Sequence, residues 1–299
     1  MVGSDRVSSD RKDTLNSGAN VWLIGGTSES AELAQALAAR QIPFVVTVTT
    51  AAARALYSAQ TQVVVGALSE PQMETLVSEW RVVCVLDASH PFAQVVSESA
   101  IALSLRSQQS SILPTVAYLR YERSPVTDIS ERDVSERDTV HSHVSVYTSI
   151  ERVLNNPELY NHRILFTLGY RALLAQSVTL SQLRRKSKLF VRILPSPEAI
   201  SAAIAAGFSS KEIVALRPPV SYDLEKAIWQ QWNISAVVAK ASGKAGGEAI
   251  KRKMAAELDV HLHLIQRPAV AYPHQTHCIA EAVSFCEKAL LPAPGVRVT

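Results

Sequence analysis

The first 125 residues alternate short apolar, β-branched runs with stretches that carry apolar residues at helical spacing. The predicted strands are "NVWLIGG", "FVVTVTT", "QVVVG", "VVCVLDAS" and "PTVAYLRYE". The predicted helices lie between them, in "SESAELAQALAARQ", in "EPQMETLVSEW" and over residues 92–109. Short apolar runs indicate buried strands, and strands that alternate with helices predict a parallel sheet covered by helices on both faces.

The same alternation returns in the second half of the chain. The predicted strands there are "RILFTLG", "KLFVRILP", "EIVALRPP", "ISAVVAKAS" and "VHLHLIQRP". Helices are predicted in "SPEAISAAIAAGF", in "SYDLEKAIWQQWN" and over residues 248–257. In the first of these, Ser196 is a suitable N-cap, Pro197 suits the first helical position and Gly207 follows the end.

Two polar segments set the predicted domain boundaries. Residues 1–19 lack the apolar centre of a signal peptide and are predicted to be a disordered tail. Residues 126–143 have no steady apolar period and are predicted to be a polar linker or insertion. The predicted fold class is α/β, with two domains whose mainly parallel sheets face a central cleft. The N-terminal domain spans 20–125 and the C-terminal domain spans 144–299.

Composition narrows the class of protein. A chain of 299 residues is long enough for two domains, and a net charge of +3 is too small to predict a nucleic-acid partner. The densest basic run, "RRKSK" at 184–188, is interpreted as a solvated loop, with anion binding as the alternative. Three cysteines suggest neither a disulfide framework nor a metal pair. The same cysteine usage fits a reducing, cytoplasmic compartment, and we expect no metal site. No stretch approaches the ~20 apolar residues of a membrane span, so we expect no membrane partner.

A glycine turn follows the first predicted strand. Gly25, Gly26, Thr27 and Ser28 stand where glycine permits close backbone approach and a helix start offers N–H groups to phosphate. Ser30 occupies the position of the third glycine in G-x-G-x-x-G. Nucleotide binding is the favoured interpretation, and the alternative is a tight turn in which Thr27 acts only as the N-cap.

The segment after the second strand bears on the choice of nicotinamide cofactor. An acidic residue there would hold the ribose diol of NAD, but the chain has none from Phe44 to Ser69. It offers Thr50 and Arg54 instead, and a cation with a hydroxyl favours the 2′-phosphate of NADP. We therefore expect NADPH, with NADH as the second choice; the alternative is that Arg54 is a solvated helix residue.

The fourth strand ends in "VLDASHPFA", an unusual run of polar residues before a fixed proline. The carboxyl ends of parallel strands share one edge, so this loop is expected on the same rim as the glycine turn. Asp87 is expected to accept backbone N–H bonds, Ser89 and Phe92 to offer contacts to a ligand, and His90 to titrate near neutrality. An ordinary Asx-type turn is the alternative.

Two strand ends in the second half are also candidate ligand loops. "TLGYR" presents Thr167 and Gly169 at a helix start. "KASGKAGG" combines glycines with Lys240, Ser242 and Lys244, which is a plausible anion site, although glycine-rich loops are common.

Two other patterns are set aside. Tyr222 and Lys226 match the Tyr-x-x-x-Lys pair of short-chain dehydrogenases, but they stand in the wrong half of the chain relative to the glycine turn. His261 and His263 share a strand face without a completed set of metal ligands.

Several stretches together resemble the precorrin-6A reductases of cobalamin biosynthesis, a family that includes cobalt-precorrin-6A reductases. The stretches are "WLIGGTSESAELAQAL", "VVCVLDASHPFA", "YLRYERSP", "LFVRILPSPEAI" and "VVAKASGKAGGEAIKRKMAAELDVHLHLIQRP". The likeness runs from Asn20 to about Pro273. Its most specific element is Asp-x-x-His-Pro-Phe-Ala combined with Lys-x-Ser-Gly and the following Gly-Gly.

The resemblance implies two Rossmann-like domains, the first of them nucleotide-binding. It also implies NADPH-dependent reduction of one double bond in the precorrin-6A macrocycle, or its cobalt-bearing equivalent, to give precorrin-6B by hydride transfer plus protonation. The partner would be an anionic tetrapyrrole, and transient contact with neighbouring pathway enzymes is a further expectation. His90 is the candidate proton donor and Lys240 the alternate. The expected cofactor residues are Gly25, Gly26, Thr27, Ser28, Thr50, Arg54, Thr167 and Gly169. The expected substrate residues are Ser89, Phe92, Arg120, Arg123, Arg217, Ser242, Gly243 and Lys244.

Three rival functions stay open at this point. One is another Rossmann-type NADP oxidoreductase, or an epimerase, that acts on a small molecule. The second is a non-catalytic nucleotide-binding sensor. A methyltransferase is weaker, because the acidic residue expected after the second strand is absent.

Overall fold

The computed structural model describes residues 18–109, 115–122, 143–243 and 246–291. Arg123, Lys244 and nearly all of the predicted tail and linker lie outside the described residues. The described chain forms two compact units, one holding the residues up to 122 and from 270 onward, the other holding residues 143–269. Each unit has its own six-stranded sheet.

All paired strands of the first unit are parallel, in the order β12-β5-β4-β1-β2-β3. Numbered along the whole chain, its strands are β1 Asn20–Ile24, β2 Phe44–Val48, β3 Val63–Val65, β4 Val82–Asp87, β5 Ala117–Tyr121 and β12 Gln275–Thr276. Its helices are α1 Ser28–Ala39, α2 Ala51–Arg54, α3 Glu70–Glu79, α4 Gln94–Gln109 and α11 Ile279–Leu290.

Alternate residues of β1 pack into separate cores on the two faces of this sheet. Val21 and Leu23 face a core that includes residues of α1 and α11. Trp22 and Ile24 face the opposite core, which includes residues of α3 and α4. The two-residue period of a strand therefore feeds both layers, which is why the strand is apolar throughout.

The second unit repeats the parallel arrangement, in the order β6-β11-β10-β7-β8-β9. Its strands are β6 Val144–Tyr147, β7 Arg163–Thr167, β8 Lys188–Ile193, β9 Ile213–Ala215, β10 Ala236–Lys240 and β11 His261–Ile265. Its α-helices are α5 Ile150–Leu154, α6 Tyr170–Ala175, α7 Ser177–Arg184, α8 Pro197–Ala205, α9 Tyr222–Gln231 and α10 Glu248–Leu258. Short 3₁₀ turns span Pro157–Leu159 and Ser210–Glu212.

Both sheets have the strand order of a Rossmann-like fold. In the first sheet, β1, β2 and β3 follow one another toward one edge, and β4 lies on the other side of β1. In the second sheet, β7, β8 and β9 follow one another toward one edge, and β10 lies on the other side of β7. The direction of winding therefore reverses between β1 and β4, and between β7 and β10. The predicted fold class, α/β with two Rossmann-like domains, is confirmed in this respect. The predicted cap of α8 is also confirmed, because Ser196 accepts a hydrogen bond from the amide of Ala199 and Pro197 starts the helix.

The predicted second domain, 144–299, differs from the structure at its C-terminal end. After residue 269 the chain returns to the first unit, where Gln275 and Thr276 pair with β5. Helix α11 then buries Ala282, Val283 and Cys286 in the core beside α1. Burial of this apolar stripe against the first sheet overrides the simple division of the chain into two halves. No helix among the described residues combines the length and apolar character that crossing a bilayer requires.

Candidate functional site

In the first unit the glycine turn and the Asp87 loop flank the point where strand order reverses. Ile24, the end of β1, lies opposite Asp87, the end of β4. The Ala88 amide donates to the Ile24 carbonyl at 2.9 Å, and the Thr27 hydroxyl donates to the Ala88 carbonyl at 2.9 Å. The predicted placement of both loops on one rim is confirmed. Such a switch point is where α/β sheets bind ligands.

Most amides of the glycine turn are satisfied within the protein. The Gly26 amide donates to the Tyr57 hydroxyl at 2.8 Å. Thr27 and Ser30 form a reciprocal capping box, each amide donating to the other's hydroxyl at 3.0 Å. This box explains why serine stands where a third glycine was expected. The amide of Ser28, at the first helical position, has no intrahelical acceptor by geometry and is a donor that an anion could use.

The two glycines of the turn are required for different reasons. A Cβ at Gly25 would lie 2.2 Å from the Tyr57 hydroxyl oxygen, so this glycine is needed for packing within the protein. Gly26 has φ +101°, which disfavours other residues, and a Cβ there would meet nothing within 4 Å. Only the Gly26 side of the turn is therefore open to a ligand.

Tyr57 is a site residue that the sequence analysis missed. Its hydroxyl lies 2.6 Å from the Ser30 hydroxyl, in addition to accepting from the Gly26 amide. Burial raises the pKa of Tyr57, against the lowering effect of these hydrogen bonds. A lone tyrosine after α2 carries no motif, so only the fold reveals that it supports the turn.

Thr50 and Arg54 lie after β2, as expected, and both act locally. The Thr50 side chain caps α2 by accepting from the Ala53 amide. The Arg54 guanidinium donates through Nη1 to the carbonyls of Tyr57 and Ser58, and through Nη2 to those of Ala59 and Thr61, over 3.1–3.4 Å. Arg54 thus holds the loop that carries Tyr57, and a two-pronged contact with a phosphate would require it to release these carbonyls.

The Asp87 carboxylate is the centre of a buried polar network. It is fully buried and accepts from four donors. These donors are the Ser89 amide at 3.0 Å, the Ser97 hydroxyl at 2.6 Å, the Tyr118 hydroxyl at 2.7 Å and Arg120 Nη1 at 2.9 Å. The expected bond to a loop amide is confirmed. Burial and the adjacent carboxylate raise the pKa of Tyr118, so its hydroxyl keeps the proton that it donates.

Arg120 was expected to bind substrate, but the structure places it inside the protein, with 1% of its surface exposed. Nη1 also donates to the Ser89 hydroxyl at 2.9 Å, Nη2 to the Ser89 carbonyl at 3.0 Å, and Nε to Glu122 at 2.9 Å. The guanidinium lies 5.3 Å from the ring centroid of Tyr272. Burial acts to lower the pKa of Arg120, but Asp87 and Glu122 outweigh it and raise the pKa. Arg120 therefore holds Ser89 in place.

His90 and Phe92 follow this anchored serine at the edge of the sheet. His90 is exposed, and its Nδ1 accepts from the Phe92 amide at 3.2 Å, with the two rings 5.9 Å apart. The proton of the neutral imidazole therefore lies on Nε2. A crevice too narrow to hold a water molecule runs beside the loop, lined by Thr27, Glu29, Ala88, Ser89, Arg120 and Tyr121.

In the second unit two loops flank the equivalent reversal point, between β7 and β10. Thr167 ends β7, and its hydroxyl reaches the Val238 carbonyl at 3.4 Å. Gly169, with φ +83°, is the N-cap of α6. These two expected cofactor residues belong to a different unit from Gly25, Gly26, Thr27 and Ser28. Arg217 is exposed just beyond the end of β9.

Charged side chains, most of them on α10, bind the backbone of the loop after β10. Glu248, 4% exposed, accepts from the Gly243 amide at 2.9 Å, and Arg252 Nε donates to the same carboxylate at 3.0 Å. Lys251 Nζ approaches the carbonyls of Gly246 and Gly247 at 3.4 and 3.3 Å. Arg267 donates to the Ala241 carbonyl at 3.0 Å. The side chains that fix this loop therefore lie outside the glycine-rich sequence by which the loop was recognised.

Burial changes the acidity of two lysines near this loop. Burial lowers the pKa of Lys240, the last residue of β10. Burial and the nearby Arg192 lower the pKa of Lys251 to about 8, against the raising effect of Glu225 and Glu248. Ser242 is buried beside Gly243, which has φ +77°. Arg192 pairs with the buried Glu225, so this strand-end cation neutralises a carboxylate of the protein.

A family model described as "Precorrin-6x reductase CbiJ/CobK" matches residues 20–287. The chain belongs to this family. Among curated relatives, the cobalt-precorrin-6A reductase of Synechocystis sp. is 38% identical over 278 residues, covering 92% of this chain and 99% of the relative. The enzyme of the same description from Salmonella typhimurium is 30% identical, covering 85% and 89%. The solved structure of "CobK precorrin-6A reductase" superposes with a TM-score of 0.69 at 21% identity, covering 93% of this chain and all of the other.

Family membership makes the protein a reductase, an oxidoreductase of cobalamin biosynthesis. The pair Tyr222 and Lys226, which the sequence analysis set aside, has a structural explanation in the reductase. The hydroxyl of Tyr222 and the ammonium of Lys226 both contact Glu257 on α10. Among the described residues, no three histidine, cysteine, aspartate or glutamate side chains come together as ligands for a metal.

Replacing Asp87 with asparagine is expected to destabilise the first unit of the reductase by about 3 kcal/mol, because the buried Arg120 cation keeps Glu122 but loses the carboxylate paired with Nη1. Tyr118→Phe removes one donor from the same carboxylate and is expected to cost only about 1 kcal/mol. Urea unfolding of both variants checks this order. Equal stability of Asp87→Asn and the wild type would contradict it.

Lys251 is expected to make stability depend on pH. The unfolded lysine keeps its proton up to about pH 10.5, whereas the folded one loses it near 8, so the unfolded chain binds more protons between these values and stability rises with pH. Relative to Lys251→Met, the wild type should gain roughly 3 kcal/mol from pH 7 to 10.5. Urea unfolding at both pH values measures this, with the exposed Lys253→Met as the matched control. A pH-independent difference for Lys251→Met would contradict the assignment.

Proposed function

We propose that the protein reduces one double bond of the precorrin-6A macrocycle, with NADPH as the reductant, to give the precorrin-6B form. The observation that carries this proposal is the switch point of the first unit. There, an open glycine turn and a histidine loop held by a buried ion pair lie side by side. A family of precorrin-6x reductases supplies the substrate class.

The first unit has the chemistry that a dinucleotide requires. Gly26 leaves open space at the start of α1, a helix of 12 residues, where the Ser28 amide and the positive end of the helix favour a phosphate. When bound, the reduced nicotinamide supplies a hydride. No carboxylate lies between Phe44 and Ser69, and Arg54 adds a positive charge, so we favour NADPH over NADH. Thr167 and Gly169, in the second unit, remain proposed cofactor contacts.

His90 is the proposed source of the proton that completes the reduction. The Asp87–Arg120 pair fixes the preceding serine, and in the neutral ring Nδ1 accepts from the Phe92 amide. The proton donor is the imidazolium, which carries a proton on both ring nitrogens, so the ring releases the Phe92 amide when it takes up the proton that it delivers to the macrocycle. Lys240 is the alternate donor, because its lowered pKa makes its ammonium a better acid than that of an ordinary lysine.

The substrate carries several carboxylates, which cations and N–H groups would bind. Arg217 is exposed just beyond the end of β9, at the carboxyl edge of the sheet that also carries Gly243 in the loop after β10. Ser89 and Phe92 offer a hydroxyl and an apolar face in the first unit. The relatives described above are named as cobalt-precorrin-6A reductases, so we propose the cobalt-bearing macrocycle as the natural form.

The direct test is anaerobic incubation of the protein with NADPH and either cobalt-precorrin-6A or the metal-free form. We expect loss of nicotinamide absorbance and a gain of two hydrogens in the mass of the tetrapyrrole. If the protein binds the cofactor but reduces neither form of the substrate, with NADPH or with NADH, the reductase proposal is refuted and a nucleotide sensor is favoured. Turnover only with NADH would refute the choice of NADPH.

His90→Gln is expected to lower kcat by roughly 10²-fold with a smaller change in KM, because it removes the acid and keeps the polar shape. The pH dependence of kcat should lose the limb that His90 contributes. Lys240→Met tests the alternate donor in the same assay. His261→Gln, an exposed histidine at the start of β11, is the control. If His90→Gln keeps the full kcat and pH profile while Lys240→Met loses them, the donor is Lys240.

A further inference from the structure

A broad pocket of about 590 Å³ lies in the second unit, at the edge of the sheet opposite Thr167 and Lys240. Its lining residues come from the amino ends of three adjacent strands, just before or at the starts of β7, β8 and β9. They are Asn161, His162, Arg163, Arg184, Lys186, Ser187, Lys188 and Glu212. The proposed reaction uses the carboxyl ends of the strands, so it gives this pocket no role.

The lining is strongly cationic. Two arginines and two lysines face one carboxylate, that of Glu212, in a chain whose total net charge is only +3. The carboxylate is already engaged, since it accepts from Arg184 Nη1 at 2.8 Å and from the Ser209 amide at 2.9 Å. Most of the positive charge in the pocket is therefore left to be balanced by solvent or by a ligand.

One nitrogen of the Arg184 guanidinium has no hydrogen-bond acceptor within the described part of the chain. Its guanidinium packs 4.8 Å from the ring centroid of Phe208, and Nη1 is bound to Glu212. Among the described residues, Arg184 Nη2 is the one buried side-chain nitrogen or oxygen without a hydrogen-bond partner. Buried polar atoms are nearly always satisfied in folded proteins. Because this nitrogen is closed off from water, an anion in the pocket would reach it only after a shift of the Arg184 side chain.

The character of the lining selects the class of ligand. Every lining residue carries a polar or charged group, and four of the eight are cations. Arginine forks and lysine point charges match the oxygens of phosphate groups. The four cations line one open pocket, which suits a compact polyanion better than an extended nucleic acid.

We infer that this pocket, lined by Arg163, Arg184, Lys186 and Lys188, binds a compact polyanion of the phosphate class, such as pyrophosphate, triphosphate or the phosphate tail of a nucleotide. The basic run at 184–188, interpreted from the sequence as a solvated loop, supplies three of the four cations. The site is separate from the proposed reduction and does not depend on it.

The test is calorimetric titration of the full-length protein with inorganic tripolyphosphate at low salt. We expect one saturable site, at least tenfold weaker in Lys188→Glu, because Lys188 is exposed at the pocket wall. Arg185→Glu is the matched control, since Arg185 is exposed in the same basic run but does not line the pocket. It should change the affinity less than twofold. Lys188→Gln should give an intermediate loss, and thermal unfolding of each variant confirms that it is folded.

Several outcomes would overturn the inference. Equal weakening by Lys188→Glu and Arg185→Glu would mean attraction to the net charge alone. Displacement of tripolyphosphate by saturating NADP⁺ would show that tripolyphosphate binds in the nucleotide site instead. Binding of poly-glutamate without binding of tripolyphosphate would indicate an acidic protein partner.

A comparison of ADP with tripolyphosphate identifies the source of the phosphate. Tighter binding of ADP that weakens in Lys188→Glu would indicate a nucleotide, and tighter binding of tripolyphosphate would indicate a free polyphosphate.

Discussion

The first unit depends on the buried ion pair between Asp87 and Arg120. Each charge would be costly to bury alone, but the carboxylate has four donors and the guanidinium is fully engaged, so the desolvation of both is offset. The pair joins the ends of β4 and β5, and Arg120 also holds both the hydroxyl and the carbonyl of Ser89. The position of His90 follows from this, since it is the next residue in the chain.

The second unit uses the same strategy with different residues. Its strand order reverses at an equivalent point, and buried charges again act on the loop there, with Glu248 binding the Gly243 amide and Lys251 facing glycine carbonyls. Each of these charges is already engaged with the loop that it holds. The cations of the opposite edge, around Arg184, are different because one of their nitrogens still lacks an acceptor.

The position of the candidate site could be predicted from the sequence, but the roles of its individual residues could not. The polar run after β4 and the glycine turn were recognisable, because parallel strands place their ends on one rim. The roles of Arg120 and Arg54 were not, because an arginine at a strand end looks the same in sequence whether it faces solvent or neighbouring carbonyls. Tyr57, Tyr118 and Lys251 belong to no motif, and only their spatial neighbours reveal their function.

By itself, the sequence determined the α/β class, most strands and helices, the cap of α8 and the family resemblance, because these depend on periodicity and on residues close together in the chain. Tertiary structure alone decided that α11 and β12 join the first unit. The helical spacing of "IAEAVSFCEKAL" is legible, yet it does not state which sheet will cover its apolar face. Tertiary structure also brought the amino ends of three strands together into one cationic pocket, a juxtaposition of residues up to 51 positions apart, from Asn161 to Glu212.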